Sequence, residues 1–277
     1  MMKKMMSLVL ALMLMLAALP ALAENGVLKV ALSPDFSPME FIDTSKSGDD
    51  QYVGFDVSLA KYLAQELGMT LKIMPMSFDA CQTAVQVGAV DMSISGYSWT
   101  KERAENYNLS DYYYAGDNET EQVIITKKEL EGAFKDAESF AGKTVGAQAA
   151  SLQLNLCNEQ LPKTVTIKEF KVIDDAVLAL MTGKVDAVAV AKGNGDAIIA
   201  NNKAVAMSGF EFKVSAEAEN NVVMIQKGND ELLAKVNAAL AKAFEAGYYA
   251  QWYAEATALA GIETAKELTI EDAGKPE

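Results

Sequence analysis

The chain has 277 residues, of which 51% are hydrophobic and 22% charged, and its formal net charge is −14. This length suits one large domain or two smaller ones, and the composition is that of a globular protein rather than a disordered one. The acidic balance disfavours binding to nucleic acid or to an anionic membrane surface. The sequence contains no histidine, so it has no Ser-His or Cys-His dyad and lacks the commonest zinc ligand. We therefore expect no hydrolase of the usual kinds, no metal site and no cofactor.

The first 23 residues have the pattern of a secretory signal peptide. Two lysines precede an apolar stretch at residues 7–19, and the small-x-small sequence at residues 21–23 is a cleavage signal. The alternative is a membrane anchor, but the apolar run is shorter than the roughly 20 residues that cross a bilayer, and Pro20 interrupts it. No cysteine stands at the cleavage site. We expect cleavage after Ala23, no lipid attachment, and a periplasmic or secreted product.

Predicted strands and helices alternate along the first part of the mature chain. The hydrophobic pattern predicts strands at residues 28–32, 70–76 and 90–95, and helices at residues 55–67 and 79–87. Such alternation is typical of parallel sheets covered by helices. The sequence therefore predicts an α/β fold.

A polar segment at residues 115–121 separates these elements from a second series. The second series has predicted strands at residues 122–126 and 143–147, helices at 127–142 and 151–159, and then a last strand at 220–226 followed by a helix at 230–247. A chain that leaves one lobe, builds another and returns crosses twice between them and forms a hinge. We assign residues 24–116 and 220–262 to lobe 1, residues 122–215 to lobe 2, and residues 263–277 to a polar tail.

Two segments 95 residues apart share one pattern. Residues 84–95 (AVQVGAVDMSIS) and 179–190 (ALMTGKVDAVAV) each end a helix at a glycine and begin an apolar strand with Val-Asp. The match is either a coincidence between common helix–glycine–strand units or a sign of two lobes with similar architecture. We expect Asp91 and Asp186 to close the helix-to-strand turns rather than contact a ligand.

The segment at residues 95–103 (SGYSWTKER) carries the clearest chemical signal. Arg103 is the only arginine among 24 basic residues, and a guanidinium binds a carboxylate through paired hydrogen bonds that lysine cannot reproduce. Thr100 can cap a short helix, so that Arg103 projects from its first turn. Gly96 allows close approach of a backbone to a ligand, and the Ser98 hydroxyl can donate to the same carboxylate. The alternative is that Arg103 pairs with one of the many acidic residues.

Three further residues are candidates for the same site. Phe36 lies in the loop after the first strand, and Phe78 follows the second strand, where an open α/β sheet forms its ligand crevice. Either ring could belong to a core, but together they favour walls for the apolar part of a ligand. Ser151 begins a predicted helix, and it is either an ordinary cap or a hydroxyl that binds an anion together with the free helix amides.

Taken together, these features resemble the polar amino-acid-binding proteins of bacterial ABC importers, solute-binding protein family 3. The matching motifs are residues 54–57 (GFDV), Asp91…Gly96…Ser98-x-Thr100-x-x-Arg103, and residues 109–114 (LSDYYY). The resemblance implies the type II periplasmic-binding-protein fold, in which two α/β lobes are joined by two hinge crossings with the ligand cleft between them. It also implies a protein that is not an enzyme, and that captures an amino acid or a related small carboxylate by lobe closure and presents it to an ABC permease in the membrane. The sequence does not show the oligomeric state, for which a monomer is the default expectation.

The resemblance also implies a role for each candidate residue. In that family, the residue that matches Arg103 binds the ligand carboxylate, and those that match Gly96 and Ser98 supply a backbone carbonyl and a hydroxyl. The residues that match Phe36 and Phe78 pack on the ligand. The residue that matches Ser151 helps to hold the carboxylate from the second lobe.

The two cysteines would lie on different lobes in this arrangement. A disulfide between Cys81 and Cys157 would then restrain lobe closure, although an exported protein with two cysteines invites a disulfide. We therefore expect two free, buried thiols on separate helices.

One departure from the family pattern concerns the ligand ammonium. The family usually ends a lobe 2 strand with an aspartate that binds this group, whereas here Ala191 stands at that point and Lys192 follows it. An ammonium buried without a carboxylate would cost roughly several kcal/mol. Either another acid substitutes, with Asp196 and Asp35 as candidates, or the ligand is not a standard α-amino acid.

Two alternative functions are compatible with the same sequence. An enzyme on this fold, such as one similar to the prephenate and arogenate dehydratases, would need a positioned acid or base, for which a carboxylate or Lys192 is the candidate. A secreted sensor module would bind a ligand in the same way but without a permease.

Overall fold

The computed structural model describes residues 26–114 and 121–262. The expected signal peptide, most of the polar segment between the two series and the expected tail lie outside these residues. Within them, strands and helices alternate as predicted and build two five-stranded sheets and a small three-stranded one.

The strands are numbered in chain order. They are β1 (Val27–Leu32), β2 (Asp35–Phe36), β3 (Glu40–Ile42), β4 (Tyr52–Val53), β5 (Thr70–Pro75), β6 (Met92–Ser93), β7 (Tyr107–Leu109), β8 (Gln122–Lys127), β9 (Thr144–Gln148), β10 (Thr166–Phe170), β11 (Ala187–Ala191), β12 (Val205–Phe212) and β13 (Met224–Gln226).

The α-helices are numbered in the same way. They are α1 (Phe55–Glu66), α2 (Phe78–Gln86), α3 (Lys101–Asn106), α4 (Leu152–Gln160), α5 (Ile173–Met181), α6 (Lys192–Asn201), α7 (Asp230–Glu245) and α8 (Tyr248–Leu259). No helix in the described part of the chain combines the length and the apolar character that a membrane span requires.

The two large sheets have the same topology. In lobe 1 the strand order is β5-β1-β6-β13-β7, and in lobe 2 it is β10-β9-β11-β8-β12. The first three strands of each sheet are parallel, and the fourth is antiparallel to both of its neighbours. The antiparallel strand of each sheet follows a crossing between the lobes, since β8 begins the second series and β13 follows the return. The structure therefore has the two lobes and two crossings that were predicted.

Each lobe has its own hydrophobic core. Leu28, Val30 and Leu59 are fully buried in lobe 1, and Ile124 and Val145 are fully buried in lobe 2. Burial of one such side chain stabilises the fold by about 1.5–3 kcal/mol. Each lobe therefore packs around its own interior, and the space between their strand ends is left for a pocket.

The repeated sequence pattern occupies matching places in the two lobes. Asp91 Oδ2 accepts a hydrogen bond from the backbone N–H of Lys29 at 2.7 Å, and Asp186 Oδ2 accepts one from that of Thr144 at 2.8 Å. Lys29 and Thr144 belong to equivalent strands, β1 and β9. Both carboxylates therefore tie a helix-to-strand turn to the neighbouring parallel strand. The expected turn-closing role is confirmed for both residues, and the repeat reflects two lobes of similar architecture.

The prediction of a helix over residues 127–142 is wrong. The segment contains two short 3₁₀ turns instead, Lys128–Leu130 and Ala137–Phe140. Gly132 has a φ of 75°, a left-handed conformation that an α-helix cannot continue. Asp136 then accepts a hydrogen bond from the Ser139 N–H at 2.9 Å, which caps the second turn separately.

Two predicted strands are shorter than expected. The predicted strand at residues 90–95 is paired as a strand only at β6, and the one at 220–226 only at β13. Before β13, Asn221 forms isolated antiparallel bridges to Ser98 and Tyr114. The return crossing therefore packs directly against the loop that carries the candidate site.

Cys81 and Cys157 are buried, free thiols on helices α2 and α4. Burial raises the pKa of each thiol to about 12, so both remain protonated and unreactive at neutral pH. The prediction of free thiols on separate helices is confirmed.

Candidate ligand-binding site

A pocket with about 460 Å³ of empty space, including its open mouth, lies between the strand ends of the two lobes. All six residues that the sequence singled out line it: Phe36, Phe78, Gly96, Ser98 and Arg103 from lobe 1, and Ser151 from lobe 2. The structure therefore brings together residues that are separated by up to 115 positions in the chain.

Arg103 is held in place by its own helix and by two aromatic rings. The Thr100 Oγ1 accepts a hydrogen bond from the Arg103 N–H at 3.2 Å and caps α3, as predicted. The side chain is 7% exposed, and Nη1 donates to the backbone carbonyl of Ser98 at 2.7 Å. The guanidinium carbon lies 5.3 Å from the ring centre of Tyr97 and 5.7 Å from that of Phe78. These contacts fix the planar donor group in the wall of the pocket.

The Arg103 guanidinium also contacts lobe 2. Its Nη2 donates to the backbone carbonyl of Ala150 at 3.2 Å, and Gln82 Nε2 donates to the same oxygen at 3.2 Å. Ala150 has a φ of 59°, which is uncommon for a residue other than glycine. The Ala150 carbonyl of lobe 2 thus accepts hydrogen bonds from two residues of lobe 1.

The predicted aromatic walls lie close to the backbone of the site loop. Gly96 has a φ of 55°, and a Cβ built there would lie 2.6 Å from Cε1 of Phe36. Glycine is therefore required at this position both by conformation and by contact. Phe78 begins α2 and stacks on Tyr97 with ring centres 4.9 Å apart.

Ser151 is the N-cap of α4. Its Oγ accepts a hydrogen bond from the Leu154 N–H at 3.1 Å and donates to the Gln148 carbonyl at 2.7 Å. Leu152 and Gln153, the first residues of the helix, line the pocket beside it. The positive end of the helix dipole therefore lies at the pocket wall, where it favours an anion.

Asp35 is the acidic residue of the pocket. Its Oδ2 accepts hydrogen bonds from the Ile173 N–H at 2.6 Å and from Gln148 Nε2 at 3.1 Å, and its Oδ1 accepts from the Ser33 hydroxyl at 2.7 Å. Burial raises the pKa of Asp35 above its usual value, while these hydrogen bonds oppose the rise. Because Gln148 and Ile173 belong to lobe 2, Asp35 links the two lobes.

The other acid that the sequence proposed lies elsewhere. Asp196 Oδ2 is 3.2 Å from Lys192 Nζ, one turn earlier on α6, and Lys192 Nζ is also 4.0 Å from Glu121 Oε2. Ala191, at the end of β11, is fully buried and lines the pocket. Among the described residues that line the pocket, the charged ones are Asp35 and Arg103.

Several lining residues were not identified from the sequence. They are Ser95, Gln148, Leu152, Gln153, Ile173, Ala189 and Val190. The end of the predicted strand at residues 143–147 was a signal for Gln148, because ligand crevices form at such ends. Nothing comparable marked Ile173, whose backbone N–H meets Asp35 only when the two lobes come together.

Comparisons with known proteins agree with this geometry. Residues 28–256 match the family model described as bacterial extracellular solute-binding proteins, family 3. The arginine-binding extracellular protein ArtP of Bacillus subtilis is 29% identical over 221 residues, which cover 79% of this chain and 82% of that protein. The L-cystine-binding protein TcyJ of Escherichia coli is also 29% identical, with 79% of this chain and 78% of that protein covered.

Solved structures show the same architecture. An amino acid ABC transporter substrate-binding protein from Streptococcus pneumoniae, bound to L-arginine, is 33% identical and superposes with a TM-score of 0.75 over 86% of this chain and 97% of that chain. The holo form of ArgBP from T. maritima is 30% identical, with a TM-score of 0.69 over 78% and 90% of the two chains. The fold is therefore the type II periplasmic-binding-protein fold, as predicted, and the chain belongs to the bacterial extracellular solute-binding proteins, family 3.

Proposed function

We propose that this protein captures an amino acid or a related small carboxylate outside the cytoplasm and presents it to the permease of an ABC importer. The observation that carries this proposal is the buried guanidinium of Arg103 in a pocket between two lobes. The matched relatives support it, because their names refer to arginine and L-cystine binding and one solved neighbour is an ABC transporter substrate-binding protein.

The ligand carboxylate would bind at the Arg103 end of the pocket. The guanidinium can donate paired hydrogen bonds to a carboxylate, and Ser98 and the Gly96 backbone lie on the same loop. The first turn of α4, which Ser151 caps, offers backbone amides and a favourable helix dipole from the opposite lobe. Phe36 and Phe78 would cover the apolar part of the ligand.

Binding would then be coupled to closure of the two lobes. A ligand that contacts both lobes favours the closed arrangement over an open one, because it binds the two arrangements with different affinity. Several lobe 1 residues already form hydrogen bonds with lobe 2, among them Asp35, Gln82 and Arg103. We expect these contacts to add to the ligand's own contacts and to exclude water from the carboxylate.

The cationic part of an amino-acid ligand would be received by Asp35. It is the acid that lines the pocket, whereas Ala189, Val190 and Ala191 form an apolar wall where an ammonium would find no charged partner. A ligand without an α-ammonium is the alternative that this wall favours.

The remaining features of the proposal concern the chain as a whole. We propose that the leader is removed after Ala23, that the product is periplasmic or secreted and monomeric, and that it binds its ligand without converting it. We also propose lobe limits at residues 24–116 with 220–262 and at residues 122–215, and a tail after residue 262.

A thermal-shift screen of the purified exported chain tests the function. The panel pairs L-arginine, L-histidine and L-cystine with carboxylates that lack the α-amino group, such as 5-guanidinopentanoic acid. A ligand at 100 times its Kd stabilises the folded state by about 2.7 kcal/mol, which is a clear rise in Tm. Failure of every carboxylate to raise the Tm would contradict the proposal, and mass spectrometry of the bound compound after incubation would reveal any turnover.

A further inference from the structure

Two carboxyl groups are buried directly behind the pocket. Glu40 lies on β3 and Asp56 lies in the first turn of α1, and both side chains are 0% exposed. Neither residue lines the pocket. Buried acids of this kind require specific hydrogen-bond partners, because an unpaired charge in a protein interior is costly.

The partners of these acids are two consecutive residues of the site loop. Asp56 Oδ2 accepts a hydrogen bond from the Gly96 N–H at 2.7 Å. The Ser95 hydroxyl donates to Glu40 Oε1 and accepts from the Ser33 N–H, the latter at 3.0 Å. Because Ser95 and Gly96 both line the pocket, the two acids hold the pocket loop from behind.

Asp56 has a second donor, Tyr113, which does not line the pocket. The Tyr113 hydroxyl lies 3.0 Å from Oδ1 and 3.1 Å from Oδ2. Asp56 therefore has donors on both oxygens, which suits an ionised carboxylate. Glu40 differs, since its buried Oε2 accepts no hydrogen bond. A protonated Glu40 is instead a donor to Asp56.

The charges around Glu40 and Asp56 also indicate that Glu40 is protonated and Asp56 ionised. Burial, the negative charge of Asp56 and, more weakly, that of Asp35 raise the pKa of Glu40 well above its usual value. Burial raises the pKa of Asp56 to about 6, whereas the hydrogen bonds from Gly96, Tyr113 and Glu40 oppose the rise. Tyr97 is another titratable group near Glu40, and burial raises the pKa of its hydroxyl well above the usual value. Two neighbouring buried carboxyl groups cannot both be ionised cheaply.

We propose that Glu40 and Asp56 are positioning residues that share one proton and hold the Ser95–Gly96 turn in the shape that receives the ligand. Glu40 acts as the neutral acid and Asp56 as the carboxylate that fixes the Gly96 N–H. Gly96 needs such support because its backbone is held in a left-handed conformation, with a φ of 55°, close to the Phe36 ring. A small shift of this turn would therefore change the shape of the pocket. The inference rests on the proposed function only for its binding readout.

The first test is the pH dependence of thermal stability without ligand. A buried acid that stays protonated holds a proton that the unfolded chain loses above its ordinary pKa of 4.5, so stability falls as pH rises. Wild-type Tm should therefore decrease between pH 5 and pH 8. Glu40→Gln preserves the neutral shape, accepts from Ser95 and donates to Asp56, and its Tm should decrease less over that interval.

A matched control separates this effect from general destabilisation. Asp91→Asn weakens a turn in the same lobe, away from the pocket, and should lower Tm without changing its dependence on pH. Tyr113→Phe retains both acids but removes one donor to Asp56, so that the pair should keep its shared proton to higher pH. Parallel pH curves for wild type and Glu40→Gln would overturn the shared proton.

The second test is binding of L-arginine at pH 7, measured by calorimetry. Glu40→Gln should retain affinity within about threefold, whereas Asp56→Asn should weaken it about tenfold or more through loss of the charged acceptor for Gly96. Unchanged affinity in Asp56→Asn would overturn the positioning role. If wild type binds no arginine, only the choice of ligand fails, because the melting curves still decide whether the proton is shared. The Kd of each variant is then compared with that of wild type for whichever carboxylate of the panel raises Tm.

Discussion

Arg103 in lobe 1 donates from Nη2 to the backbone carbonyl of Ala150 in lobe 2 across 3.2 Å. Among the described residues, Ala150 is the non-glycine residue with a positive φ, and it directly precedes the helix cap Ser151. The backbone of lobe 2 therefore takes an uncommon conformation at the point where it meets the guanidinium. The proposed carboxylate-binding residue thus also contacts the opposite lobe, and we expect this contact to couple ligand binding to lobe closure.

Replacement of Arg103 by lysine tests the proposed carboxylate contact. Arg103→Lys retains the positive charge but loses the planar pair of donors, and we expect about tenfold weaker binding, or a larger loss, by calorimetry. Lys101→Arg is the matched control, because it makes the reverse exchange at an exposed position of the same helix. Equal affinities for wild type and Arg103→Lys would reject the assigned role.

Replacement of Gly96 by alanine tests the contact between the site loop and Phe36. The left-handed backbone makes alanine unfavourable by about 1–2 kcal/mol, and the new Cβ would also displace a ring carbon that lies 2.6 Å away. We expect Gly96→Ala to lower Tm and to weaken ligand binding.

Gly48→Ala is the control for this change. Gly48 has a similar φ of 63°, and a Cβ there would meet nothing within 4 Å. It should show the conformational cost alone, with unchanged affinity. If the two variants lose equal stability and both bind normally, the contact between Gly96 and Phe36 does not shape the pocket.

Replacement of Asp35 by asparagine tests the link between the lobes. The variant loses the charged acceptor for the Ile173 N–H and for Gln148. We expect about tenfold weaker binding of L-arginine, and a larger radius of gyration in X-ray scattering with ligand because fewer molecules are closed. Asp196→Asn removes the other acid that the sequence proposed, which pairs with Lys192 at the surface, and it should bind as wild type does. The opposite ranking of the two variants would place the ligand cation near Asp196.

The sequence predicted the parts of the site that depend on local structure. Thr100 as a helix cap, Arg103 in the first turn after it, and Ser151 as a second cap were all predictable from residue type and spacing, and the structure has these caps. The error at residues 127–142 was also local, since Gly132 adopts a left-handed conformation there.

Contacts between distant segments could not be predicted in this way. The hydrogen bond from Ile173 to Asp35 joins residues 138 positions apart, and it depends on how the lobes meet rather than on either local sequence. The same is true of the bond from Gly96 to Asp56, 40 positions apart. The resemblance to a family supplied the two-lobe arrangement, but it assigned no role to Glu40 or to Ile173.

Replacement of Ala191 by aspartate distinguishes the two classes of ligand. Ala191 is fully buried at the end of β11 and lines the pocket, where a carboxylate would face the ligand. Without ligand, the buried charge should lower stability by roughly several kcal/mol. An α-ammonium would offset this cost. The quantity to compare is the affinity for L-arginine divided by the affinity for 5-guanidinopentanoic acid, and we expect this ratio to be at least about tenfold higher in Ala191→Asp than in wild type.

The comparison of these two compounds is matched, because they differ in the α-amino group and share the carboxylate and the guanidinium. Both therefore meet the same Arg103 and Asp35, and the difference between their affinities in calorimetry reports the environment of the ammonium alone. A wild-type protein that prefers 5-guanidinopentanoic acid would indicate a ligand without an α-ammonium. An unchanged ratio in Ala191→Asp would mean that the end of β11 does not face this group, and that the ammonium of an amino-acid ligand lies nearer to Asp35.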